Sequence, residues 1–228
     1  MIPTLWIAIV AIALGAAAFI GWRYASRRLS LPCPTWLGWL VEMDNPFTAT
    51  NRAATIVDQL ELRRGMRVLD VGCGPGRVAL PVARKLGPDG EVVAIDVQSG
   101  MLARARERAS MANLKNIRFV QRAVGIDALD VHDADRALLV TVLGEIPDRE
   151  SALRAIFDAL KPGGFLSVTE IVFDPHYQRR SVVTQLAVAV GFQVKAFFGN
   201  RLAYTLHLAK PGVRHQAVGA ARPIGVNE

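Results

Sequence analysis

The sequence contains little cysteine and histidine, the side chains on which many metal centres and all disulfide frameworks depend. Two cysteines and four histidines occur among its 228 residues, with neither an H-E-x-x-H pattern nor paired C-x-x-C motifs. Two cysteines, Cys33 and Cys73, are too few for a disulfide-rich scaffold, which is consistent with a reducing compartment. The sequence therefore predicts no metal site.

The chain also lacks an interleaved stripe of aromatic and basic residues of the kind that binds nucleic acid, although its formal net charge is +7. The positive charge is concentrated near the two ends, because residues 23–31 carry +3 and residues 201–228 carry another +3. Basic residues that flank an apolar segment favour contact with anionic lipid headgroups over contact with a phosphate backbone. We therefore predict a membrane partner and no nucleic-acid partner.

Residues 2–22 form a run of 21 residues without a charged side chain. At about 1.5 Å per residue, a helix of this length matches a bilayer core of about 30 Å, so we predict a transmembrane helix over residues 1–22. A cleaved signal peptide is the alternative, but signal peptides carry positive charge before the apolar run. Here Arg23, Arg27 and Arg28 follow the run, which predicts a single-pass protein with the rest of the chain in the cytoplasm.

A basic juxtamembrane segment with a short helix is predicted over residues 23–47. Trp36, Trp39, Leu40 and Met43 share one face of that helix. Because tryptophan prefers the membrane interface, we expect the helix to lie along the lipid headgroups. Packing of the same face onto the following domain is the alternative.

Three glycines follow a short apolar strand in the stretch R-V-L-D-V-G-C-G-P-G-R. The strand delivers Asp70, and Gly72, Gly74 and Gly76 come next at alternate positions. Glycines in this arrangement let the backbone turn sharply and approach a ligand where a Cβ atom would collide. In a nicotinamide-type G-x-G-x-x-G loop the third glycine would occupy position 77, which is Arg77 here. The loop therefore predicts a ligand site of another type.

An acidic residue ends the next predicted strand. Residues 91–95 are a buried apolar run that ends in Asp96, 20 positions past Gly76. In a doubly wound sheet this is where a carboxylate accepts hydrogen bonds from a ribose diol. Loop and carboxylate together predict a nucleoside-like cofactor, whereas a tight turn with two solvated aspartates is the alternative.

Helices and strands alternate along the rest of the chain, which predicts an α/β fold. The predicted helices are 48–62, 78–86, 101–112, 149–160 and 181–190, and the further strands are 117–120, 135–142, 165–172, 193–198 and 202–209, the last two forming a hairpin. Residues 211–228 have no apolar periodicity and are predicted to be a disordered tail.

Four segments carry a resemblance to a known family: VLDVGCGPG, VVAIDVQSGML, the turn LKPGG, and the terminal hairpin that ends in YTLHLAKP. Residues 68–209 resemble class I S-adenosylmethionine (SAM) methyltransferases, in particular those of quinone biosynthesis and other small-molecule pathways. The resemblance implies a doubly wound, mostly parallel seven-stranded sheet in the order 3-2-1-4-5-7-6 with the last strand antiparallel. It also implies a methyltransferase domain over residues 48–210 and SAM as the cofactor.

The resemblance assigns cofactor contacts to particular residues. The loop would approach the methionine part of SAM, Asp70 its ammonium group and Asp96 its ribose. The remaining cofactor-binding candidates are Cys73 in the loop, Val97 and Met101 beside the adenine, Ala123 and Val124 after strand three, and Leu143 after strand four.

The chain departs from the family pattern after strand three. Related enzymes often have an aspartate there that contacts the adenine amine, whereas this sequence reads Q-R-A-V, and an arginine cannot accept that hydrogen bond. Asp127, a backbone carbonyl or packing alone are the three alternatives. An Asn-Pro-Pro-Tyr-type motif, which accompanies methylation of base amines, is also lacking, and this disfavours a nucleic-acid substrate.

Methyl transfer from a sulfonium needs few catalytic groups, because donor and nucleophile have only to be held in line at about 3 to 3.5 Å with water excluded. A general base is needed only where the acceptor must lose a proton. Glu145, directly after strand four, is the first candidate for this role, and a solvent-facing acid is its alternative. His176 and Tyr177, after strand five, are further candidates, although a surface loop would also place a histidine there.

Three functions remain to be compared. The favoured one is a membrane-anchored SAM-dependent methyltransferase that acts on a small lipophilic acceptor such as a quinone precursor, a lipid amine or a thiol. The second is a SAM-binding scaffold or regulator at the membrane without catalysis. The third, a nicotinamide-dependent oxidoreductase, is disfavoured by Arg77.

Overall fold

The computed structural model describes residues 2–29, 44 and 48–212. The interfacial helix predicted around Trp36, Trp39, Leu40 and Met43 lies outside these residues, as do residues 213–228 of the predicted tail. The descriptions below concern the described residues alone.

The centre of the fold is a seven-stranded sheet. Its strands are β1 (Arg67–Val71), β2 (Glu91–Asp96), β3 (Ile117–Gln121), β4 (Ala134–Val140), β5 (Leu160–Ile171), β6 (Gln193–Gly199) and β7 (Ala203–Ala209). The strand order is β3-β2-β1-β4-β5-β7-β6. The first five strands pair in parallel, and β7 runs antiparallel to both of its neighbours. The fold class, the strand order and the antiparallel last strand are thereby confirmed.

The described helices are α1 (Ile2–Leu29), α2 (Ala53–Gln59), α3 (Ala79–Leu86), α4 (Ser99–Met111), α5 (Arg149–Ala159) and α6 (Arg180–Val190), with short 3-10 helices at Ala49–Asn51 and Leu143–Glu145. Helices α2 to α6 cover the two faces of the sheet. Alternate residues of each buried strand enter opposite cores: Val68 packs with α2, α3 and α4, whereas Leu69 packs with α5 and α6. This alternation is the period-2 geometry of a strand buried on both faces.

Several element boundaries differ from the sequence prediction for local reasons. The helix predicted over 48–62 is divided, because Arg52 has an extended backbone between the 3-10 turn and α2. Strand β4 ends at Val140, two residues early, since Thr141 has a positive φ of 56° that a strand cannot continue through. Strand β5 begins at Leu160 rather than after the turn, because Leu160 pairs with Ala134 through a register shift.

Helix α1 contains the whole apolar run and continues to Leu29. Several of its large apolar side chains are exposed, among them Trp6 at 62%, Ile7 at 68% and Ile12 at 72%. Within the part of the chain that the structure describes, however, no helix is both long enough and apolar enough to cross a bilayer. The helix predicted here is present, whereas the membrane span predicted over residues 1–22 is not confirmed.

Candidate active site

The glycine loop joins β1 to α3 through residues with a left-handed backbone. Gly72, Gly74 and Gly76 have φ values of 71°, 53° and 81°, which residues with a Cβ atom rarely adopt. The amides of Gly72 and Cys73 both donate to the carbonyl oxygen of Ile95, at 2.8 and 2.9 Å. Strand β2 thereby fixes where the loop begins.

Two of these glycines also fill positions without room for a side chain. A Cβ atom on Gly72 would overlap the side chain of Val142, which follows β4. A Cβ atom on Gly76 would lie 2.5 Å from Cδ1 of Leu80 and 3.4 Å from Cβ of Ala105 on α4. Gly76 therefore leaves room at the loop for Leu80 of α3 and Ala105 of α4.

Asp96 lies directly against the loop. Its Oδ2 accepts a hydrogen bond from the Gly74 amide at 2.9 Å, and its Oδ1 accepts one from the Gln98 amide at 2.9 Å. Burial raises the pKa of Asp96, and the two amides oppose that shift. Since each carboxylate oxygen can accept more than one hydrogen bond, both remain able to accept from a ribose hydroxyl.

Asp70 is more deeply buried, with 2% of its surface exposed. Its Oδ2 has no hydrogen-bond partner among the described residues. Burial raises the pKa of Asp70 to about 7, Arg77 opposes the shift, and Asp96 adds to it. A buried acceptor without a donor is costly unless a ligand supplies one, and an ammonium group is such a donor. Asp70, Asp96 and the glycine loop therefore fit the cofactor that the resemblance implies.

Arg77 ties the segment before α2 to the glycine loop, a role that sequence reasoning missed. Its guanidinium donates to Asn51, at 2.6 Å to the carbonyl oxygen and 3.1 Å to Oδ1. It also pairs with Asp44 at 2.9 Å, and the same Asp44 oxygen accepts from the Ala53 amide at 2.8 Å. Nothing in the local sequence indicates which residues lie opposite Arg77.

The other cofactor-binding candidates differ in exposure. Cys73, Met101, Val124 and Leu143 are buried, Ala123 is half-buried, and Val97 is 48% exposed. Burial raises the pKa of the Cys73 thiol, so this side chain remains a neutral part of the core. These positions follow the carboxyl ends of β1, β2, β3 and β4, at the same edge of the sheet.

Asp127 shapes the loop after β3. Its Oδ2 accepts a hydrogen bond from the Ala123 amide at 2.8 Å, and Asp127 also forms an isolated bridge with Val124. Arg122 lies 3.6 Å from Asp130 at the surface. At least one Asp127 oxygen is thus engaged in holding the loop that the sequence predicts beside the adenine.

Two of the three candidate catalytic residues meet at the carboxyl ends of β4 and β5. His176 Nδ1 lies 3.8 Å from Oε1 of Glu145 and 4.0 Å from Oδ1 of Asp174. Burial raises the pKa of Glu145 to about 8, and the charges of Asp174 and Asp96 add to the shift. A carboxyl with this pKa is largely protonated at neutral pH, and its deprotonated form can act as a general base.

Gly144 allows Glu145 and His176 to lie close together. A Cβ atom at position 144 would collide with the backbone carbonyl of His176 and would lie 2.7 Å from its Cβ. The 3-10 turn that carries Glu145 therefore packs against the backbone of the loop after β5 with no room for a side chain at position 144. Sequence reasoning passed over Gly144, although a glycine next to a candidate acid could have indicated close packing.

Tyr177 points towards a different part of the fold. Its hydroxyl donates to the carbonyl oxygen of Arg201 at 3.2 Å, in the turn between β6 and β7. Its ring packs edge-on against Tyr204 with the centroids 6.2 Å apart. The described contacts of this hydroxyl are thus with the hairpin turn and not with Glu145.

Glu170, at the end of β5, is a further acid that the sequence prediction omitted. It is almost fully buried, its Oε2 accepts from the Gln178 amide at 3.0 Å, and its Oε1 has no partner among the described residues. Burial raises the pKa of Glu170 to about 8. Among the described residues, no group of three or more histidine, cysteine, aspartate or glutamate side chains is arranged to hold a metal ion. The sequence did carry a signal for this acid, because Glu170 stands in the run T-E-I near the end of a predicted strand.

Comparisons with known proteins agree with this geometry. The family model described as a methyltransferase domain matches residues 62–198. The ubiquinone/menaquinone biosynthesis C-methyltransferase UbiE of Idiomarina loihiensis is 32% identical over 115 residues, which are 50% of this chain and 46% of that protein. The aklanonic acid methyltransferase DauC of Streptomyces sp. is 34% identical over 118 residues, 52% of this chain and 54% of that protein.

A similar fold is found among solved structures. A SAM-dependent methyltransferase from Aquifex aeolicus aligns with a TM-score of 0.68 at 19% identity, over 78% of this chain and 98% of that one. At this identity the likeness concerns the fold. The chain spans about half the length of the curated relatives it matches.

Proposed function

Because the chain belongs to the family of SAM-dependent methyltransferases, we propose that it transfers a methyl group to a carbon atom of a small, lipophilic acceptor. A carbon acceptor is supported by the UbiE relatives, which are C-methyltransferases of ubiquinone and menaquinone biosynthesis. The observation that carries the proposal is the short distance, 3.8 Å, between Glu145 Oε1 and His176 Nδ1 at the sheet edge that also carries the glycine loop. A binding scaffold would have no need of a base there.

Different residues of the chain are assigned to different parts of SAM. When bound, SAM supplies a methyl group already activated on a sulfonium. Asp96 would accept hydrogen bonds from the ribose, and Asp70 would accept them from the ammonium group. Gly72, Gly74 and Gly76 leave the space along the backbone that the ligand needs.

Glu145 acts on the acceptor. As the new carbon–carbon bond forms and the carbon–sulfur bond breaks, the acceptor loses one proton, and the Glu145 carboxylate takes it. His176 lies within 3.8 Å and orients that carboxylate from the loop after β5. Because the pKa of Glu145 is raised to about 8, the carboxylate is a stronger base than an exposed glutamate would be.

Label transfer tests the proposal. The full chain is incubated with methyl-labelled SAM and a total membrane lipid extract, and labelled products are identified by mass spectrometry. We expect a product that carries the label on carbon. Tight SAM binding without a labelled product in any extract would instead support the scaffold, and a product labelled on nitrogen or sulfur would contradict the carbon acceptor.

We further propose that α1 attaches the enzyme to a membrane surface, where lipophilic acceptors concentrate. Support comes from the uncharged run over 2–22 and from the exposed apolar side chains of that helix. The cytoplasmic orientation remains a prediction from Arg23, Arg27 and Arg28.

Vesicle flotation tests this attachment with the full chain. Introducing charge on α1 by Ile7→Asp together with Ile12→Asp is expected to move at least half of the floated protein to the unbound fraction, because apolar burial in the interface is lost. Met111→Asp on α4 is the matched control, since Met111 is 74% exposed and apolar but lies elsewhere. Equal flotation of the double variant and the native chain would overturn the proposal.

A further inference from the structure

A cavity of about 770 Å³ lies beyond the loop after β5, between the start of α6 and the β6–β7 turn. Two chemical classes of side chain dominate its lining. The arginines are Arg179, Arg180 and Arg201, and the aromatic residues are Tyr177, Phe197 and Tyr204. A volume of this size falls within the range of small-molecule sites, roughly 300 to 1,000 Å³.

Three aromatic residues, Tyr177, Phe197 and Tyr204, line this cavity. The Tyr177 hydroxyl donates to Arg201 and the Tyr204 hydroxyl donates to the Gln178 carbonyl oxygen at 2.8 Å, so both hydroxyls are already engaged. The rings of Phe197 and Tyr204 are stacked with an interplanar angle of 28° and centroids 6.3 Å apart. These surfaces suit a flat, apolar ligand.

The arginines make the cavity cationic. The guanidinium of Arg180 lies 4.6 Å from the centre of the Phe197 ring. Among the described residues that line the cavity none is acidic. Glu170 on β5 is buried and holds the Gln178 amide, so it is directed at the loop. A planar guanidinium binds a carboxylate through two parallel hydrogen bonds.

We propose that this cavity binds an aromatic carboxylate, and that the carboxylate end of the methyl acceptor is held there. This inference rests on the proposed function, because it names the acceptor class of the same enzyme. The loop after β5 connects the two places: His176 contacts Glu145, and the next residue, Tyr177, lines the cavity. Tyr177 thus directly follows the residue that lies 3.8 Å from the candidate base Glu145.

Equilibrium binding to the full chain tests the ligand class. The probes are 1-naphthoate and 1-naphthamide, which share a ring system and differ in charge, and the readout is calorimetry with and without SAM. We expect naphthoate to bind at least tenfold more tightly than naphthamide. Equal affinities would overturn the proposal, and so would displacement of naphthoate by equimolar inorganic phosphate, which would indicate a general anion site.

Variants locate the site. Arg180→Gln with Arg201→Gln should weaken naphthoate at least tenfold and leave naphthamide and SAM within twofold, whereas Arg154→Gln on the exposed face of α5 should change none of them. Arg201→Gln alone, in an exposed turn, serves if the double variant does not fold and should weaken naphthoate at least threefold. Unchanged naphthoate affinity in folded variants would overturn the assignment.

The role as an acceptor site has its own readout. Naphthoate should lower label transfer from SAM to the acceptors of a membrane extract at least fivefold, and naphthamide should not. If saturating naphthoate leaves label transfer unchanged, the cavity does not hold the methyl acceptor and this part of the proposal is overturned. Failure to bind SAM would contradict the proposed function instead, so the two failures are distinguishable.

Discussion

Replacing Asp96 by alanine is expected to lower SAM affinity by roughly 10- to 150-fold, which corresponds to about 1.5 to 3 kcal/mol for hydrogen bonds to a charged group. The carboxylate is the predicted acceptor for the ribose hydroxyls. It also accepts from the amides of Gly74 and Gln98, at 2.9 Å each. Its removal therefore affects the ligand directly and also releases the middle of the glycine loop.

Two companion variants separate these effects in titration calorimetry. Asp96→Asn keeps one oxygen that can accept from Gly74 but removes the charge, so its affinity should fall between those of the native chain and Asp96→Ala. Asp58→Ala is the matched control, because its side chain is 77% exposed on α2 and pairs at the surface with Lys85. If Asp96→Ala binds SAM as tightly as the control does, the nucleoside is not held at the end of β2.

The glycine loop and Asp96 could be predicted from sequence because the signals are local or evenly spaced. A glycine is required where φ is positive, and an acid at the end of the second buried strand must lie beside the loop in a parallel sheet. The strand order was available only through the family resemblance. Once four motifs matched, the position of β7 between β5 and β6 followed, and the structure has that order.

Contacts between distant segments could not be predicted in the same way. Gly144 and His176 are 32 positions apart, and their close approach depends on where β4 ends and on how the loop after β5 turns. The hydrogen bonds of Arg77 to Asn51 likewise depend on tertiary packing. The uncharged run over 2–22 predicted a helix, which is present, and a membrane span, which is not confirmed.

Replacing Glu145 by glutamine is expected to lower kcat by about 10²- to 10⁴-fold, the usual contribution of a general base, with SAM affinity within twofold of the native value. The amide occupies nearly the same volume beside His176 but cannot take a proton. Glu150→Gln is the matched control, because Glu150 is exposed on the first turn of α5 and pairs only at the surface with Arg154. Steady-state kinetics with a labelled acceptor measure both variants.

The pH dependence of this reaction distinguishes a base from a structural acid. Glu145 must be deprotonated to act, and its pKa is raised to about 8, so kcat/KM of the native enzyme should rise with pH and level off above about 8. The glutamine variant should lose this limb, because it has no carboxyl to titrate there. A structural role would lower activity equally at every pH and leave the limb in place. If Glu145→Gln retains the limb, the limb belongs to another titrating group. Glu170 is then the first candidate, because its pKa is also raised to about 8.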